Sequence, residues 1–566
     1  MSKGVFRSHN KVGETMSIQV LPDPTMPFDP TVSKIVADER VSWDLDVGSG
    51  YTAGNSISYM FPSASPRTVT LRTNLLSTLN SISLLDDDVV GNVDLSGWSN
   101  LFKGGGQTLD LSSNQGLTGI THTHTPYTPF SYLANNCDLT GTLDLRPLEN
   151  MGGMVEMRFN PNLNHILFSG STSGFSNLFF DGNDLVDLDL SGFDNFATQF
   201  KIDDNDNLTG MTFYTGTSSV ATSYFLAGGL TNYVGTLDLR GLKLYDYFDI
   251  RTTTCTKLLH GFYDGVWETY YVSDCTLVGN HDLTMFPTLG GTLSFYGNPN
   301  LTGITHTASS QSISGYSMNN CDITGTHILP FGEMGGYFSG KFNSNLTNIV
   351  HSASGRLFTA YNVSDCDLTG VFDLSMLSKL GGRFDCNNNP NLTNISHGFS
   401  IEVFSKYWAD SCNIGTTLDV SMLSGLGGSF NVSNNTPLKI ITFPYSTQTF
   451  ANDAGGNSAF ALNSCALASP TSGFDFKPLS GITMADTSVL GADVLLQNNG
   501  MTTVEVNEIL VDFETIGGWN TSGWSGTTLN ISGTNAAPDA TTGGFDGIAA
   551  INTLTGTPHN WIITTS

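Results

Sequence analysis

The strongest constraint on the fold of this 566-residue chain is an internal repeat of about 46 residues. Self-alignment gives one series of apolar anchors with spacings of 50, 46, 45, 47, 46, 45, 46 and 53 residues: Val89, Leu139, Leu185, Leu230, Leu277, Ile323, Leu368, Ile414 and Leu467. A second series interleaves with it at spacings of 46, 45, 50, 43, 45, 46 and 46: Leu117, Leu163, Leu208, Leu258, Leu301, Leu346, Leu392 and Leu438. Each repeat therefore consists of two rungs of about 22–24 residues. One rung cannot bury its apolar face alone, so the rungs are expected to stack as a solenoid.

The first rung type follows the pattern LxxLxLxx(N/C)xL, as in segment 358–368. Tyr361 and Val363 are alternate apolar residues there, which predicts a short strand with one buried face. The position of Cys366 holds Asn in other rungs, and a buried Asn can hydrogen-bond to the backbone of neighbouring rungs. The pattern and its period resemble the leucine-rich repeat. We therefore predict that residues 66–501 form a leucine-rich-repeat-like solenoid, made mostly of short β-strands and turns.

The two ends of the chain do not repeat. Residues 1–65 contain the proline-rich segment LPDPTMPFDP, which predicts an extended N-terminal arm for attachment. Near the other end, TTVEVNEILVDFETIGG predicts an amphipathic helix, followed by a strand in TTLNISG, a helix in GGFDGIAAINTLTG and a strand in NWIITTS. Residues 502–566 are predicted to form a small α/β C-terminal cap, because the open end of a solenoid exposes apolar surface.

The order of these C-terminal segments resembles the end of leucine-rich-repeat proteins from the tails and fibres of tailed bacteriophages. The resemblance covers residues 494–566 well and the array more loosely. It implies a virion structural protein, made in the host cytoplasm, that serves as a tail, fibre or head-appendage component. The implied partners are other virion proteins, through the N-terminal arm, and a glycan or protein of the host surface. An oligomer is also expected.

The charge balance narrows the possible partners. The chain has 22 Lys and Arg against 50 Asp and Glu, a formal net charge of −28, which argues against a nucleic-acid-binding surface. No apolar run approaches 18 residues, so we expect no membrane insertion. The N-terminus lacks the apolar core of a secretory signal. A bacterial cell-surface leucine-rich-repeat adhesin, the first alternative function, would need such a signal.

No catalytic or cofactor motif is recognisable. GxSxG, HExxH, Walker A and paired CxxC patterns are absent, so we expect no enzyme activity, no cofactor and no metal site. A polysaccharide-degrading enzyme on a β-solenoid is the second alternative. It would need carboxylates clustered on one face, which the rung alignment does not indicate. The acidic segments 86–88 and 203–206 leave calcium binding open beside solvated turns.

Cysteines and histidines fall at repeated positions. Six of the eight cysteines share the Asn/Cys position: Cys137, Cys275, Cys321, Cys366, Cys412 and Cys465. Cys255 is expected at the Asn position of the other rung type, and Cys386 at an inward strand position. Equivalent positions two rungs apart are about 9–10 Å apart, beyond disulfide reach, so all eight thiols should be free. A slot five residues after the anchor is shared by His122, His306, His351, His397, Phe168, Phe213 and Phe443, so packing is expected there rather than metal binding.

The candidate binding residues come from the outward position between the two inward strand residues. Down the array this position holds Leu133, Phe179, Tyr271, Ser317, Asn362, Trp408 and Ala461. Exposed aromatics are favoured anchors for partners, so we predict Phe179, Tyr271 and Trp408 as binding residues. Hydrogen-bonding groups predominate at the flanking positions Asn135, Asp181, Ser273, Asn319, Ser364, Asp410 and Asn463. The alternative is that the aromatics only cover neighbouring rungs.

Overall fold

The computed structural model describes residues 14–20, 31–34, 41–44, 51–53, 67–73, 79–85, 87–96, 108–122, 131–148, 152–170, 175–193, 196–214, 221–261, 267–286, 289–306, 312–329, 333–351, 357–377, 379–398, 400–443, 449–450, 460–467, 483–484, 493–515 and 526–566. Two compact units divide the chain at Leu277 and Val278. The described residues form a parallel β-solenoid made mostly of strands, which confirms the predicted solenoid architecture.

The first unit contains 22 described strands. They are β1 (Glu14–Val20), β2 (Thr31–Lys34), β3 (Val41–Asp44), β4 (Tyr51–Ala53), β5 (Arg67–Thr73), β6 (Leu79–Ser83), β7 (Val89–Leu95), β8 (Thr108–Asp110), β9 (Gly116–His122), β10 (Ser131–Leu133), β11 (Thr140–Asp144), β12 (Gly153–Glu156), β13 (Asn162–Leu167), β14 (Phe175–Phe179), β15 (Asp187–Leu190), β16 (Gln199–Lys201), β17 (Gly210–Phe213), β18 (Ala221–Leu226), β19 (Gly235–Leu239), β20 (Lys243–Asp249), β21 (Cys255–His260) and β22 (Trp267–Tyr271).

The second unit continues with strands and ends in a mixed segment. Its strands are β23 (Val278–Leu283), β24 (Leu289–Ser294), β25 (Asn300–His306), β26 (Ser312–Ser317), β27 (Gly325–Leu329), β28 (Glu333–Ser339), β29 (Leu346–His351), β30 (Leu357–Asn362), β31 (Gly370–Leu374), β32 (Lys379–Asp385), β33 (Leu392–His397), β34 (Ser400–Trp408), β35 (Thr417–Asp419), β36 (Leu423–Asn431), β37 (Ile440–Thr442), β38 (Thr449–Phe450), β39 (Phe460–Ala461), β40 (Thr483–Met484), β41 (Asp493–Leu495), β42 (Thr528–Asn530) and β43 (Ile562–Thr564). Helices α1 (Thr503–Thr515) and α2 (Gly547–Thr555) flank β42, and a 3₁₀ turn spans Thr542–Gly544.

Within each unit, one strand of each rung joins a parallel stack, which we call the main sheet of that unit. In the first unit it consists of the even-numbered strands β8 to β22, each paired in parallel with the next. In the second unit the even-numbered strands β24 to β36 are followed by β39, β41, β42 and β43. Side chains alternate between the two faces of a strand, so each strand presents one row inward and one row outward.

The inward row of the main sheet is a ladder of aromatic rings. In the second unit its successive ring centroids lie 4.9 to 6.1 Å apart, and these rings are fully buried: Tyr316, Phe338, Tyr361, Phe384, Tyr407 and Phe430. Aromatic pairs at this separation add about 0.5–1.5 kcal/mol each to the free energy gained from burying their area. The core of each rung is therefore completed by its neighbours, as the alternation of Tyr361 and Val363 predicts.

Other strands form two-stranded parallel sheets on a second face: β11–β13, β15–β17 and β19–β21 in the first unit, and β23–β25, β27–β29, β31–β33 and β35–β37 in the second. The parallel pair β7–β9 belongs instead to a six-stranded sheet with β1, β3, β4 and β5. A glycine near the start of the first strand recurs in these pairs. Gly325 and Gly370 each have φ of +68°, and the register shifts directly after each of them. That backbone conformation favours glycine, which explains why it recurs there.

The Asn/Cys position lies at the turn after each main-sheet strand, as predicted. Asn389 is fully buried, and its Nδ2 donates to the carbonyls of Val363 and Cys386 at 3.0 and 2.7 Å. Its Oδ1 accepts from the amide of Leu368 at 3.0 Å. Similar bonds are made by Asn114, Asn160, Asn183, Asn205, Asn343 and Asn435. The ladder therefore satisfies backbone groups that the turns would otherwise leave unpaired inside the protein.

The predicted histidine slot is a buried packing slot. Each of the four predicted histidines lies against the tyrosine ten residues later, with Nε2 to hydroxyl distances of 2.8 to 3.1 Å: His122–Tyr132, His306–Tyr316, His351–Tyr361 and His397–Tyr407. His260, which the anchor series did not place in the slot, makes the same contact with Tyr270 at 2.8 Å. Where the slot holds phenylalanine, the ring instead packs in the apolar core, as the Phe213–Phe225 and Phe443–Phe460 pairs do. The slot thus holds either a hydrogen-bonded polar pair or an apolar pair.

The predicted N-terminal region, residues 1–65, contributes four described strands. Strand β1 pairs antiparallel with β5 along its length, and Val20 also pairs with Val89 of β7. Ile18 and Val20 are buried. The segment is therefore joined to the array by backbone pairing as well as by apolar contacts. Its proline-rich segment 21–30 lies outside the described residues.

The elements predicted within residues 502–566 are present in the predicted order. Helix α1 buries Val506, Ile509 and Phe513, as its amphipathic pattern predicts. Thr502 and Glu505 form a capping box: the Thr502 hydroxyl accepts from the amide of Glu505, while the Glu505 carboxylate accepts from the amide of Thr502. That this segment serves as a cap for the array stays a prediction.

All eight cysteines are free and buried, as predicted, but the predicted position of Cys255 needs correction. Thr253, rather than Cys255, occupies the Asn position, because the Thr253 hydroxyl donates to the carbonyl of Ala227 at 3.0 Å. The thiols of Cys255 and Cys275 lie close enough that Cys275 raises the pKa of Cys255. Cys386 and Cys412 form a second such pair. The distance between alternate rungs therefore separates only those cysteines that occupy equivalent positions.

We predict that the native thiols react very slowly with a thiol reagent at pH 8. Burial raises the pKa of Cys137 to about 11 and that of Cys321, Cys366 and Cys465 to about 12, so these thiols stay protonated. Titration with dithionitrobenzoate should find almost none of the eight in the native protein. All eight should react after denaturation without reductant, and a disulfide-linked peptide in that sample would contradict the prediction.

Candidate binding face

The outward side of the main sheet, here called the outer face, is where the sequence places the candidate binding residues. Phe179, Tyr271 and Trp408 all lie on it and are half-buried. Ser317 and Ala461, predicted to point outward with them, are instead only 8% and 3% exposed. The predicted outward row is therefore interrupted at these two small residues.

Phe179 lies beside a network of charged groups on three consecutive strands. The guanidinium of Arg158 is 5.8 Å from the ring centroid and donates to both carboxylate oxygens of Asp181, at 2.7 and 3.0 Å. The ammonium of Lys201 lies 3.2 Å from Asp181 and 3.7 Å from Asp203. The hydrogen bonds to Asp181 raise the pKa of Arg158. The Asp181 side chain is only 2% exposed, so water cannot replace its contacts with Arg158 and Lys201. These two cations therefore hold the carboxylate in place.

Asp203 is the residue of this network whose ionised form is unfavourable in the folded protein. Burial raises its pKa to about 6, and the nearby charge of Asp181 adds to the effect, while Lys201 opposes it. A carboxyl group whose pKa is higher in the folded than in the unfolded state destabilises the fold at pH values where it is ionised. This cost is fully present above pH 6 and disappears as the pH falls towards 4.

We therefore expect Asp203→Asn to stabilise the first unit at pH 7. The expected gain in the free energy of unfolding is about 1–2 kcal/mol, after allowance for partial solvent exposure, and it should vanish near pH 4. Urea denaturation at the two pH values measures it. Asp204→Asn, which removes the same charge from an exposed neighbour, is the matched control and should change little. A destabilised Asp203→Asn protein at pH 7 would show that the contact with Lys201 outweighs burial.

Tyr271 belongs to a second cluster that the sequence only partly anticipates. The guanidinium of Arg251 lies 5.0 Å from the centroid of its ring. Arg251 Nε and Nη2 donate to the carboxylate of Asp249, whose side chain is 1% exposed. The hydroxyl of Tyr247 donates to the same carboxylate at 3.1 Å, and its ring stacks on Tyr224 with centroids 4.9 Å apart. Burial and the Asp249 charge raise the pKa of Tyr247 to about 12, so its hydroxyl stays a donor.

Trp408 lies between two cations in the second unit. The Lys406 ammonium is 3.7 Å from the ring centroid, and the Arg383 guanidinium is 5.4 Å from it. Arg383 is in turn ion-paired to the buried carboxylate of Asp385 at 2.7 Å. The indole Nε1–H donates to the hydroxyl of Ser429 at 3.0 Å. These contacts fix the orientation of the indole on the outer face.

The three predicted residues therefore share one local chemistry, although they do not form one site. Each ring lies beside an arginine that is ion-paired to a buried aspartate. Phe179 and Tyr271 are four strand spacings apart, about 19 Å. Trp408 belongs to the other unit. Within the residues that the structure describes, no group of three or more His, Cys, Asp or Glu side chains is placed to hold a metal ion.

Sequence reasoning missed the groups that surround these rings. It considered only the LxxLxLxxCxL rungs, whereas Arg158, Lys201, Asp249 and Arg383 belong to rungs of the other type. The carboxylates of Asp181 and Asp203, which the rung alignment did not bring together, share Lys201 on the outer face. One sequence pattern could have predicted these ion pairs: an aspartate and an arginine two residues apart in the same strand region, as in DIR (249–251) and RFD (383–385).

Comparison of the chain with models of known protein families, with curated protein sequences and with solved structures finds no match. Among the described helices, none is long and apolar enough to span a lipid bilayer. A function for this chain has to be inferred from its own residues.

Proposed function

We propose that the chain is a bacteriophage virion structural protein, a component of a tail, fibre or head appendage, built as a leucine-rich-repeat-type solenoid. Its outer face would contact the host surface or other virion proteins. The observation that carries this proposal is the repeated combination of a half-buried aromatic ring, an arginine and a buried aspartate around Phe179, Tyr271 and Trp408. Ion pairing holds each ring in place before a partner arrives, which reduces the entropy cost of binding.

Two further features support this proposal. The succession of α1, β42, α2 and β43 agrees with the segment order on which the resemblance to phage tail and fibre proteins depends. Aromatic rings and Asn ladders fill the interior of the solenoid where the structure describes it, so this interior offers no room for a ligand. A partner would therefore bind to side chains on the surface. A scaffold of this kind suits recognition over an extended surface.

A polysaccharide-degrading enzyme is the second candidate, because Asp181 and Asp203 flank one lysine and Asp203 has a pKa of about 6. A pair of carboxyl groups, one of which has a raised pKa and can serve as an acid, is typical of glycosidases. The Asp181 carboxylate, however, is bonded by Arg158 and Lys201 and is 2% exposed, which blocks the approach of a substrate. Release of reducing sugar that stops in the Asp203→Asn variant would favour the enzyme. A surface adhesin remains the other alternative.

The proposal is tested by particle composition and crosslinking. Mass spectrometry of purified particles of the phage that carries the gene should detect this chain at a fixed ratio to other structural proteins. Crosslinks from Lys3 or Lys11 should reach another virion protein, as expected if residues 1–65 attach the chain. Absence of the chain from particles that infect normally would contradict the proposal.

A further inference from the structure

Three tyrosines occupy consecutive strands of the main sheet in the first unit, and we call Tyr224, Tyr247 and Tyr271 the tyrosine strip. Tyr224 and Tyr247 are neighbours in register on β18 and β20, with their rings nearly parallel at 13°. The ring of Tyr271, on β22, meets that of Tyr247 edge to face with centroids 6.3 Å apart. All three rings are half-buried on the outer face. They form a continuous aromatic surface across three strands.

A buried carboxylate holds this strip in place. Asp249 accepts hydrogen bonds from the Tyr247 hydroxyl and from the Arg251 guanidinium, which itself lies over Tyr271. One buried side chain therefore orients one tyrosine directly and a second through the arginine. A strip held in this way loses little side-chain entropy when a ligand binds.

Polar side chains extend the strip on both sides in the same row. Register pairs place Asn177, Gln199, Tyr224, Tyr247 and Thr269 side by side on five consecutive strands, a span of about 19 Å. The side chains of Asn177, Gln199 and Thr269 are at least partly exposed and make no hydrogen bond to any described residue. Their amides and hydroxyl are free to bind a ligand laid across the strands.

We propose that this row is a binding site for a neutral oligosaccharide, a proposal that rests on the proposed function and names the ligand of the outer face. Sugar rings offer apolar faces that pack on aromatic side chains and hydroxyls that pair with amides and alcohols, which is the composition of this row. The charged groups beside the row, Asp249 and Arg251, neutralise each other. With a net charge of −28, the chain as a whole repels an anionic polymer.

Direct binding to the purified full chain tests this proposal. The probe is a printed array of neutral and anionic oligosaccharides and bacterial surface polysaccharides, followed by calorimetry with each saccharide that binds. The wild type should bind neutral saccharides. Tyr247→Ala should weaken that binding at least tenfold, with an unchanged circular dichroism spectrum and a melting temperature within a few degrees. Tyr296→Ala removes an exposed tyrosine of the second unit and should leave binding unchanged.

The possible outcomes separate this inference from the proposed function. Binding only to anionic saccharides, or no binding to any array component, would overturn the neutral-glycan assignment. Equal binding by wild type and Tyr247→Ala would overturn the location. These results come from the isolated chain, so they do not depend on whether the chain is found in virions. A chain found in virions that binds no saccharide would refute this inference and leave the proposed function standing.

Discussion

Lowering the pH from 7 to 5 is expected to destabilise the second unit by about 6 kcal/mol, through three buried histidines acting together. Burial lowers the pKa of His281, His327 and His397 to about 4, while small opposing contributions come from Asp282 and Asp419. In the unfolded chain these groups titrate near 6.5. Between pH 6.5 and 4 the unfolded state therefore binds more protons, so stability falls as the pH falls. Each histidine accounts for about 2 kcal/mol at pH 5.

The chain itself suggests the variant that isolates this effect. At His397 and Tyr407, the double substitution His397→Phe/Tyr407→Phe installs the apolar combination found at Phe443 and Phe460. It should reduce the loss of stability between pH 7 and 5 by about 2 kcal/mol. His397→Phe alone should cost about 1–3 kcal/mol at pH 7, because the Tyr407 hydroxyl loses its partner at 2.9 Å.

Thermal and urea denaturation of the full chain at pH 7 and pH 5, followed by tyrosine and tryptophan fluorescence, measures both values. The wild-type protein serves as the reference at each pH. Equal stability of the wild type at the two pH values would contradict the account of a neutral histidine interior. A double variant that retains the wild-type pH dependence would show that His397 does not contribute.

Asn389→Ala is expected to lower the free energy of unfolding by about 3–5 kcal/mol. The substitution removes the two donated bonds to the carbonyls of Val363 and Cys386 and the one accepted from the amide of Leu368. Asn389 is fully buried, so those backbone groups have no access to water as a replacement. The loss should therefore exceed that of a typical single hydrogen bond.

Asn391→Ala is the matched control for this substitution. Asn391 lies two residues away, is exposed and donates its amide to Asp367, so its removal should change stability by no more than about 0.5 kcal/mol. Urea denaturation of both variants gives the comparison. Similar effects of the two substitutions would show that the ladder bonds contribute nothing beyond an ordinary surface contact.

The sequence determined the main features of the fold because they are periodic. Alternation at Tyr361 and Val363 identified the inward face, and the period placed each ladder Asn or Cys at a turn. The same periodicity placed the histidines in a packing slot. Helix α1 was recognisable from the spacing of its apolar residues, which lie within one segment. Patterns that involve neighbours in the chain, or equivalent positions in successive rungs, can be read from the sequence alone.

The candidate site was predicted less completely, because its contacts join different rows of different rungs. Arg158 reaches Asp181 across one strand spacing, and the Tyr247 hydroxyl reaches Asp249 along its own strand. Ser317 and Ala461 occupy outward positions in the alternation of their strands but are buried. Alternation along a strand determines which way a side chain points and does not determine how exposed it is. Cys255 was misplaced because Thr253, which occupies the ladder position, precedes the paired strand position Cys255 by two residues, whereas Asn298 and Asn343 precede Leu301 and Leu346 by three.

The central claim, that the outer face performs recognition, is tested most directly by the rate at which phage particles adsorb to host cells. Particles carrying Phe179→Ala/Tyr271→Ala/Trp408→Ala are compared with particles carrying Ile328→Ala/Val350→Ala/Val371→Ala, which removes exposed apolar residues from the paired-strand face. The content of this chain per particle is measured by mass spectrometry in the same samples. The account predicts that the outer-face variant loses adsorption or incorporation at least tenfold, while the paired-strand variant matches the wild type. Wild-type adsorption and content in the outer-face variant would contradict it.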